Sequence, residues 1–368
     1  MPTLLARLDG AQRRVRPAAF VVAVWLKFSE DSAGYFAVLL AFYAFLAVFP
    51  LLLLLATVLG IVLGDYPAAQ QSVIHSALAD FPVIGTQLRA NVHSLSGSGF
   101  GLTVGLIGTL WGARGLTTCA QTAFSAIWAI PYPRRANILR RQSQGLALLG
   151  VIVLDVLATG ALSEVSGVGD GHALWLESIG AAATTVVNAL LFTVCFRLAT
   201  PRLVPTHAFV RSACATAVFW QALLSLGTYL VAHELRHAED LYGVFGLVLG
   251  LIAWLTVQSR VTILLLEADC VRMHRLWPRT LDGPDLVPGD VRAFDAYAAA
   301  QQRRPGMRVV VEYADADAAD LAPDYSVDPA AGYSPALPAA VVSQPSAGTR
   351  SSTPVKSTPP DSVPNARP

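Results

Sequence analysis

The chain has 368 residues, of which 54% are hydrophobic and only 14% are charged, and its 26 basic and 25 acidic side chains leave a net charge of +1. A mean hydropathy of +0.51 excludes a disordered chain and argues against an ordinary soluble domain. The nearly balanced charge, without basic and aromatic residues interleaved, gives no reason to expect nucleic acid as a partner.

Six long apolar segments dominate the sequence. The first covers residues 33–64 and contains no charged side chain, and the others lie at about 100–130, 145–163, 179–199, 211–232 and 241–266. A helix rises about 1.5 Å per residue, so about 20 residues cross the roughly 30 Å of hydrocarbon in a bilayer. The pattern predicts an all-α integral membrane protein with six transmembrane helices, whose membrane domain covers residues 35–269.

Arginine is concentrated on alternate sides of these segments. The loop after the first segment holds only Arg89, the third loop has no basic residue, and the fifth has only Arg236. Because loops rich in Lys and Arg stay in the cytoplasm, both termini of this multi-pass protein are predicted to be cytoplasmic. The arginine-rich regions contain Arg7, Arg13, Arg14, Arg16 and Lys27; Arg134, Arg135, Arg140 and Arg141; Arg197, Arg202 and Arg211; and Arg272, Arg275 and Arg279.

Four regions follow from this topology. Residues 1–34 form a cytoplasmic N-terminal segment whose apolar run at 17–26 is too short to span and is expected to lie along the membrane surface. The membrane domain at 35–269 includes an outside loop at 65–99 with a short surface helix. Residues 270–322 are a polar cytoplasmic juxtamembrane region. Residues 323–368 are rich in Pro, Ser and Ala and are predicted to be disordered.

Small residues and one proline mark helix contacts. Glycines recur at intervals of three or four residues in the second and sixth segments, a spacing that lets helices approach closely in lipid. Pro50 removes a backbone hydrogen bond in the first segment and is expected to kink it, either for packing shape or as the hinge of a gating movement. The predicted packing glycines are Gly101, Gly105, Gly108 and Gly112, with Gly243, Gly246 and Gly250.

One motif suggests enzyme chemistry. Residues 233–237 read His-Glu-Leu-Arg-His, the HExxH pattern that places two imidazoles on one helix face as zinc ligands beside a glutamate base. A zinc protease needs a third ligand, and Gly243 stands where a metzincin carries it. The polar residues also fall in a short loop, where a polar turn is expected anyway. We therefore predict no catalytic, metal or cofactor site, and keep a membrane metalloprotease as a third interpretation.

Ionisable residues within the apolar segments are the more informative candidates. Arg114 lies about halfway along the second segment, and Asp155 lies in the third at a similar depth. Charges in a bilayer are costly and face a partner or a water-filled cavity, so these two are predicted to approach each other. Glu267 and a backbone carbonyl are the next candidate partners of Arg114. The full candidate network is Arg114, Asp155, Arg260 and Glu267, read either as a structural ion pair or as a polar pathway.

Three motifs together resemble the YihY/BrkB family of bacterial inner-membrane proteins. The stretch 41–54 reads AFYAFLAVFPLLLL, which is similar to the alanine-rich first span of the family with its Phe-Pro and leucines. The sequence LWGARGL at 110–116 resembles the tryptophan-containing second span, and LYGVFG at 241–246 resembles the run before the last span. The Gly-Ala-Glu that usually follows the last span is replaced by Leu266-Glu267-Ala268.

The resemblance implies six spans and a role in envelope integrity, with lipids or lipid-like molecules as the cargo suggested for some relatives. One member was once mislabelled a ribonuclease, and actinobacterial members share the longer C-terminal tail. We expect a protein of envelope maintenance that acts as a lipid or amphiphile transporter. The alternative is a non-transporting structural or interaction protein of the envelope. The expected partners are the lipid bilayer and a lipid or amphiphile substrate, and homo-oligomer formation is left open.

Overall fold

The computed structural model describes residues 4–62, 99–135, 137–167, 174–233, 235–281 and 286–311, and within these ranges the chain is helical without strands, as predicted. Two single-turn 3₁₀ helices, Tyr132–Arg134 and Thr206–Ala208, lie in the connections. The α-helices are α1 (Leu4–Arg14), α2 (Arg16–Glu30), α3 (Ala33–Val62), α4 (Gly99–Ile127), α5 (Ile138–Gly167), α6 (Leu174–Ala199), α7 (Val210–His233), α8 (Leu235–Met273) and α9 (Pro288–Ala300).

Four of the six apolar segments lie within α5 to α8, and the first two, at 33–64 and about 100–130, largely coincide with α3 and α4. By length and composition, two stretches in the described part of the chain could cross a membrane, Ile179–Ala199 and Val248–Met273. A third arises if Arg16–Glu30 and Ala33–Val48, which meet at a bend of 67°, count as one broken span. Helices that are apolar on all sides, as α3 and α6 are, belong in lipid or in a large protein core. The fold is therefore that of a membrane protein.

The best-packed core lies at the end of the bundle where α4 ends and α5 begins, here called the arginine-rich end. It also contains the start of α3 and α7 and the ends of α6 and α8. Trp128 is fully buried at its centre, and Phe196 contacts both Phe124 and Phe209 edge-on, with ring centroids 5.4 and 6.4 Å apart. This core fixes the positions of the helix ends that carry the charged side chains described below.

Helix α2 packs on protein along one face and leaves its other face exposed. Ala23 and Val24 are buried with Val271 of α8 and Ala293 of α9, whereas Trp25 is 66% exposed. The turn to α3 passes through Ser32, whose φ of 55° lies in the left-handed region that non-glycine residues seldom adopt. This turn sets α2 at a steep angle to α3, and the exposed apolar face suits a membrane surface.

Helices α3 and α4 approach each other closely through three glycines. A Cβ at Gly108 would lie 2.8 Å from Pro50 Cβ, and one at Gly112 would lie 2.9 Å from the Cα of Ala47. Gly115 is covered by the ring of Tyr43 in the same way. Such close contacts between backbones are typical of glycines at helix interfaces in lipid. Helix α3 continues through Pro50, whose ring packs against α4, and the expected kink stays a prediction.

The polar region after α8 contains a helix that the sequence did not predict. Helix α9 crosses the turn after α8 at Gly289, where its backbone contacts that of Pro278. A Cβ at residue 289 would collide with the backbone oxygen of Pro278, so this close contact requires glycine. The Asp290 carboxylate accepts hydrogen bonds from the backbone N–H groups of Val287, at 3.2 Å, and Thr280. Residue 290 therefore both caps α9 and ties it to the end of α8. The predicted outside loop at 65–99 and the tail at 323–368 lie outside the described residues.

Candidate functional site: a membrane-facing groove and a buried charge cluster

A groove runs between α3 and α4 on the outer surface of the bundle. Its volume is about 410 Å³, and its walls include Phe36 and Tyr43 from α3 and Trp111, Thr118 and Thr122 from α4. The four α4 positions 111, 115, 118 and 122 recur every three to four residues, so they follow one face of the helix for two turns or more. Trp111 is 70% exposed, which shows that the groove opens to the surface rather than into the core.

Arg114 is the only charged side chain among the residues that line this groove. It lies near the middle of α4 and is exposed, and within the described residues it forms no ion pair with a carboxylate. The other walls are mostly aromatic and aliphatic. A guanidinium surrounded by apolar side chains can bind the anionic group of a molecule whose remaining part is apolar.

The end of the groove nearest the arginine-rich end is held by another arginine. The guanidinium of Arg141, on α5, donates to the carbonyl of Thr118 at 3.0 Å and to Oγ1 of Thr122 at 2.7 Å. It also donates to Oε1 of Gln121 at 2.9 Å. Three acceptors on α4 thus fix Arg141 in place and join α5 to the rim of the groove.

A buried charge cluster lies at the arginine-rich end, centred on Lys27 of α2. Its ammonium contacts the carboxylates of Asp31 and of Glu267 on α8, the latter at 2.8 Å, and donates to the carbonyl of Ile127 at 2.9 Å. Lys27 and Glu267 have almost no exposed surface, so the contacts replace water for both charges. Cys270 donates to the same Ile127 carbonyl at 3.1 Å. The cluster therefore joins α2, α4 and α8.

A second ion-pair cluster joins the helices that follow and precede the bundle. Arg279 donates to Asp290 at 2.6 Å and to Glu30 at 2.7 Å, and Tyr297 donates to the other oxygen of Glu30 at 2.8 Å. Burial alone would lower the pKa of Arg279, but the carboxylates of Glu30 and Asp290 outweigh it and raise that pKa above its ordinary value. Arg279 thus stays charged and links α2 to α9.

Helix α1 is tied to the same turn. Gln12 donates to the carbonyl of Arg279 at 2.8 Å, and the backbone N–H of Leu281 donates to Asp9 at 3.0 Å. Burial alone would raise the pKa of Asp9, but hydrogen bonds from Leu281, Gln12 and Arg13 hold it below its ordinary value. Helix α1, which precedes the apolar run at 17–26, is thus bound to the chain that follows α8.

The four residues of the predicted polar network lie in different surroundings. Arg114 lines the groove, and Arg260 is exposed on α8 without an ion pair among the described residues. Glu267 is buried and pairs with Lys27 rather than with Arg114. The side chain of Asp155 lies outside the described residues, so its predicted approach to Arg114 stays a prediction. Within the described residues, no contact joins Arg114, Arg260 and Glu267 to one another.

The remaining candidates lie partly outside the described side chains. The side chains of the HExxH residues 233–237, and Gly101, Gly243 and Gly246, are outside the part whose burial the structure describes. Gly105 is buried in α4, and Gly250 is half-buried in α8. In the described part of the chain, no three His, Cys, Asp or Glu side chains are grouped so that they could hold a metal ion.

Sequence reasoning missed Lys27, Asp31 and the Arg279 cluster as paired groups. The topology prediction depends only on the positive charge of Lys27 and Arg279, and it does not indicate that either side chain is buried. One signal was present, since Lys27 and Asp31 have the i, i+4 spacing of a helical ion pair. Their distant partners Glu267 and Glu30 come from segments more than 200 residues away in the chain, and local spacing does not reveal such contacts.

Comparison with known proteins agrees with the three sequence motifs. The family described as virulence factor BrkB matches residues 24–284, a segment that begins within α2, contains α3 to α8 and ends after Arg279. Neither a curated protein nor a solved structure gave a match. The resemblance to the YihY/BrkB family is thereby confirmed, and because the match covers well over half of the 368 residues, the chain belongs to the virulence factor BrkB family of membrane proteins.

Proposed function

We propose that this protein maintains the bacterial envelope by binding and transporting an anionic lipid or lipid-like amphiphile in the cytoplasmic membrane. The observation that carries the proposal is the groove between α3 and α4, in which Arg114 is exposed among aromatic and aliphatic walls. A phosphate or carboxylate headgroup would pair with the guanidinium, and the acyl part would lie against Trp111 and the aliphatic walls. Membership of the BrkB family is compatible with this role.

The proposal includes six transmembrane helices with both termini in the cytoplasm. The six apolar segments largely coincide with six long helices, α3 to α8, and basic residues are concentrated in alternate connections. Single cysteines at positions 90 and 137, in a background without the four native cysteines, test it. A membrane-impermeant thiol reagent added to intact cells should label position 90 and leave position 137 unlabelled. The reverse pattern would invert the topology.

A non-transporting structural protein of the envelope is the alternative, and the contact between α3 and α4 favours it. Gly108 and Gly112 hold α4 against Pro50 and Ala47 with no space for a methyl group. An interface this close resists the relative movement that alternating access needs. Transport would then have to occur along the outer surface of these two helices, where the groove lies.

Trp111 supplies the test, because it lies in the groove beside Arg114. The full chain is reconstituted in vesicles with phospholipids brominated on the acyl chains, whose bromine quenches tryptophan fluorescence on contact. The contribution of Trp111 is obtained by subtracting the signal of Trp111→Phe. At equal bromine density, we expect an anionic phospholipid to quench Trp111 more strongly than a zwitterionic one. In parallel, vesicles should show movement of the anionic lipid between leaflets.

The matched variants are Arg114→Gln, Arg114→Lys and Arg260→Gln. Arg260 is also exposed on a long helix but does not line the groove. We expect Arg114→Gln to abolish the preference for the anionic lipid, Arg114→Lys to retain part of it, and Arg260→Gln to leave it unchanged. Equal quenching by both lipids in the wild type would contradict headgroup binding. Binding without lipid movement would favour the structural alternative.

A further inference from the structure

Two arginines stack on one tyrosine in the connection between α4 and α5. The guanidinium carbons of Arg135 and Arg303 each lie 3.9 Å from the centroid of the Tyr132 ring. Two guanidinium groups cannot occupy the same space over one face, so they lie on opposite faces of the ring, separated by about twice that distance. We call Tyr132, Arg135 and Arg303 the arginine–tyrosine platform.

The platform is anchored at the arginine-rich end of the bundle by backbone contacts. The Tyr132 N–H donates to the carbonyl of Gln302 at 3.2 Å, which brings the segment after α9 against the connection between α4 and α5. Arg135 Nε donates to the carbonyl of Ile130 at 3.1 Å. The guanidinium of Arg135 is therefore held by the fold, and the backbone contact at Gln302 brings Arg303 to the Tyr132 ring.

Among the described residues, positive charge accumulates here without a matching carboxylate. Within the described residues, neither Arg135 nor Arg303 forms an ion pair with Asp or Glu, and neither does Arg141 nearby. Partial burial lowers the pKa of Arg135, and the neighbouring charges of Arg141 and Arg303 lower it further. Mutual repulsion of this kind is relieved when an anion binds at the edge of the ring, within reach of both cations.

Exposed apolar side chains lie in the same two segments. Leu139, at the start of α5, is 82% exposed, and Val310 and Met307, in the segment after Arg303, are 70% and 43% exposed. Arg304 and Arg308 are exposed beside them. Cations alternating with exposed apolar side chains are typical of a surface that contacts lipid headgroups and the first part of the acyl chains.

We propose that the arginine–tyrosine platform is a docking site for the phosphate of an anionic phospholipid at the membrane surface. Arg135 and Arg303 pair with the phosphate oxygens, and Met307 and Val310 contact the acyl region. The platform thereby binds the segment after α9 to the membrane beside the end of α4. This proposal does not depend on transport through the groove, because none of the platform residues lines it.

The test measures lipid binding to the purified full chain in detergent by native mass spectrometry. The probes are phosphatidylglycerol and phosphatidylcholine with identical acyl chains. All proteins carry Arg114→Gln so that a headgroup in the groove does not contribute. We expect the parent to bind phosphatidylglycerol about tenfold more tightly than phosphatidylcholine, and Arg135→Gln with Arg303→Gln to bind both lipids equally.

Two further variants separate the platform from general charge and from misfolding. Tyr132→Phe keeps an aromatic ring and should keep the preference for phosphatidylglycerol. Tyr132→Leu keeps both arginines but removes the ring on which they stack, and it should weaken that preference. Arg14→Gln with Arg202→Gln removes two exposed arginines from the same end of the bundle and should leave the preference intact.

Four outcomes would overturn the proposal. The first is an unchanged preference in the Arg135→Gln and Arg303→Gln protein. The second is an equal loss in the Arg14→Gln and Arg202→Gln control. The third is a preference for phosphatidylglycerol that is absent from the full chain and arises only when residues 312–368 are removed. That result would mean that the acidic residues at 312–324, rather than a lipid, occupy the platform in the full chain. Competition by inorganic phosphate as effective as that by phosphatidylglycerol would likewise exclude a lipid-specific site.

Discussion

At the scale of single residues, Lys27 is the side chain on which the buried charge cluster depends. It is the cation that faces the carboxylates of both Asp31 and Glu267, and its own exposure is 1%. Lys27→Met would leave two carboxylates buried beside an apolar side chain. We expect it to lower the free energy of unfolding by about 3–5 kcal/mol, measured by thermal or denaturant unfolding in detergent.

The matched control is Lys27→Met combined with Glu267→Gln. The second change removes a buried charge instead of leaving it unpaired, so the double variant should be more stable than Lys27→Met alone. Arg260→Gln, which alters an exposed arginine of α8, should unfold like the wild type. A Lys27→Met protein as stable as the wild type would show that Asp31 and Glu267 do not need this cation.

His274 makes the stability of the arginine-rich end depend on pH. Burial, together with the nearby charge of Lys27, lowers the pKa of His274 to about 4, and its ring lies 5.7 Å from that of Trp128. An unfolded histidine binds a proton near pH 6.5, so the unfolded state gains stability as the pH falls from 6.5 to about 4. Above pH 6.5 both states are neutral at this position and the effect vanishes.

The prediction is a comparison of the wild type with His274→Gln. Between pH 7 and about pH 4 the wild type should lose about 3 kcal/mol of unfolding free energy more than the variant, because glutamine does not titrate. The measurement is denaturant unfolding in detergent at a series of pH values. Parallel loss in both proteins would mean that carboxylates alone cause the acid sensitivity.

The sequence identified some of these residues and missed others for a physical reason. Arg114 and Glu267 stand out because charges are rare in apolar segments, and the structure puts them in the groove and in the buried cluster. Lys27 belongs to an arginine-rich segment, where one more basic residue does not stand out as a candidate for a buried ion pair. Its burial results from the packing of α2 on α8, a contact between elements far apart in the chain.

At the scale of helices, the contact between α3 and α4 depends on Gly112. A methyl group there would lie 2.9 Å from the Cα of Ala47, and a backbone atom cannot move aside as a flexible side chain can. We expect Gly112→Ala to lower the free energy of unfolding by about 1–3 kcal/mol through overpacking. The measurement is thermal unfolding of the purified protein.

Gly150 provides the control on α5. No atom lies within 4 Å of the position that a Cβ would take there, so Gly150→Ala should be neutral or stabilise by up to about 1 kcal/mol. The two variants make the same chemical change in two long helices. If both destabilised equally, the close approach of α4 to Ala47 would not be the cause.

The helices that the sequence predicts well are those in which a long run of apolar residues marks the whole element. The apolar segments at 33–64 and 179–199 correspond closely to α3 and to the apolar part of α6, since they contain no polar stripe to obscure their ends. Helix α9 was missed because its sequence, PGDVRAFDAYAAA, is short and weakly amphipathic. It is stabilised by partners on other elements, Arg279 and Glu30, which a local pattern does not contain.

At the scale of the whole molecule, the family match ends at residue 284, before α9 and the Pro/Ser/Ala-rich region. We predict that residues 323–368 are dispensable for insertion, because their composition offers too little apolar surface for a packed structure. A chain ending at Ala322 keeps α9 and the platform, and it should accumulate in the membrane at the level of the full chain.

Membrane fractionation with quantitative immunoblotting measures this, using an N-terminal epitope common to both proteins. A second truncation, after residue 284, removes α9 together with Asp290 and leaves Arg279 with Glu30 alone. It should accumulate less than the chain ending at Ala322, because the Arg279 cluster is incomplete. Reduced accumulation of the longer truncation would show that the tail contributes to the folded membrane domain.

The clusters of Lys27 and Arg279 also determine the order in which the molecule can be completed during synthesis. Lys27, Glu30 and Asp31 leave the ribosome first, whereas Glu267, Arg279 and Asp290 follow more than 200 residues later. Chains are made from the N-terminus, so the charges of α2 lack these partners until the intervening helices have been synthesised. The last contacts to form therefore close a ring between α2 and the segment from the end of α8 to α9, and we expect a nascent chain arrested before α8 to leave the charges of α2 without these distant partners.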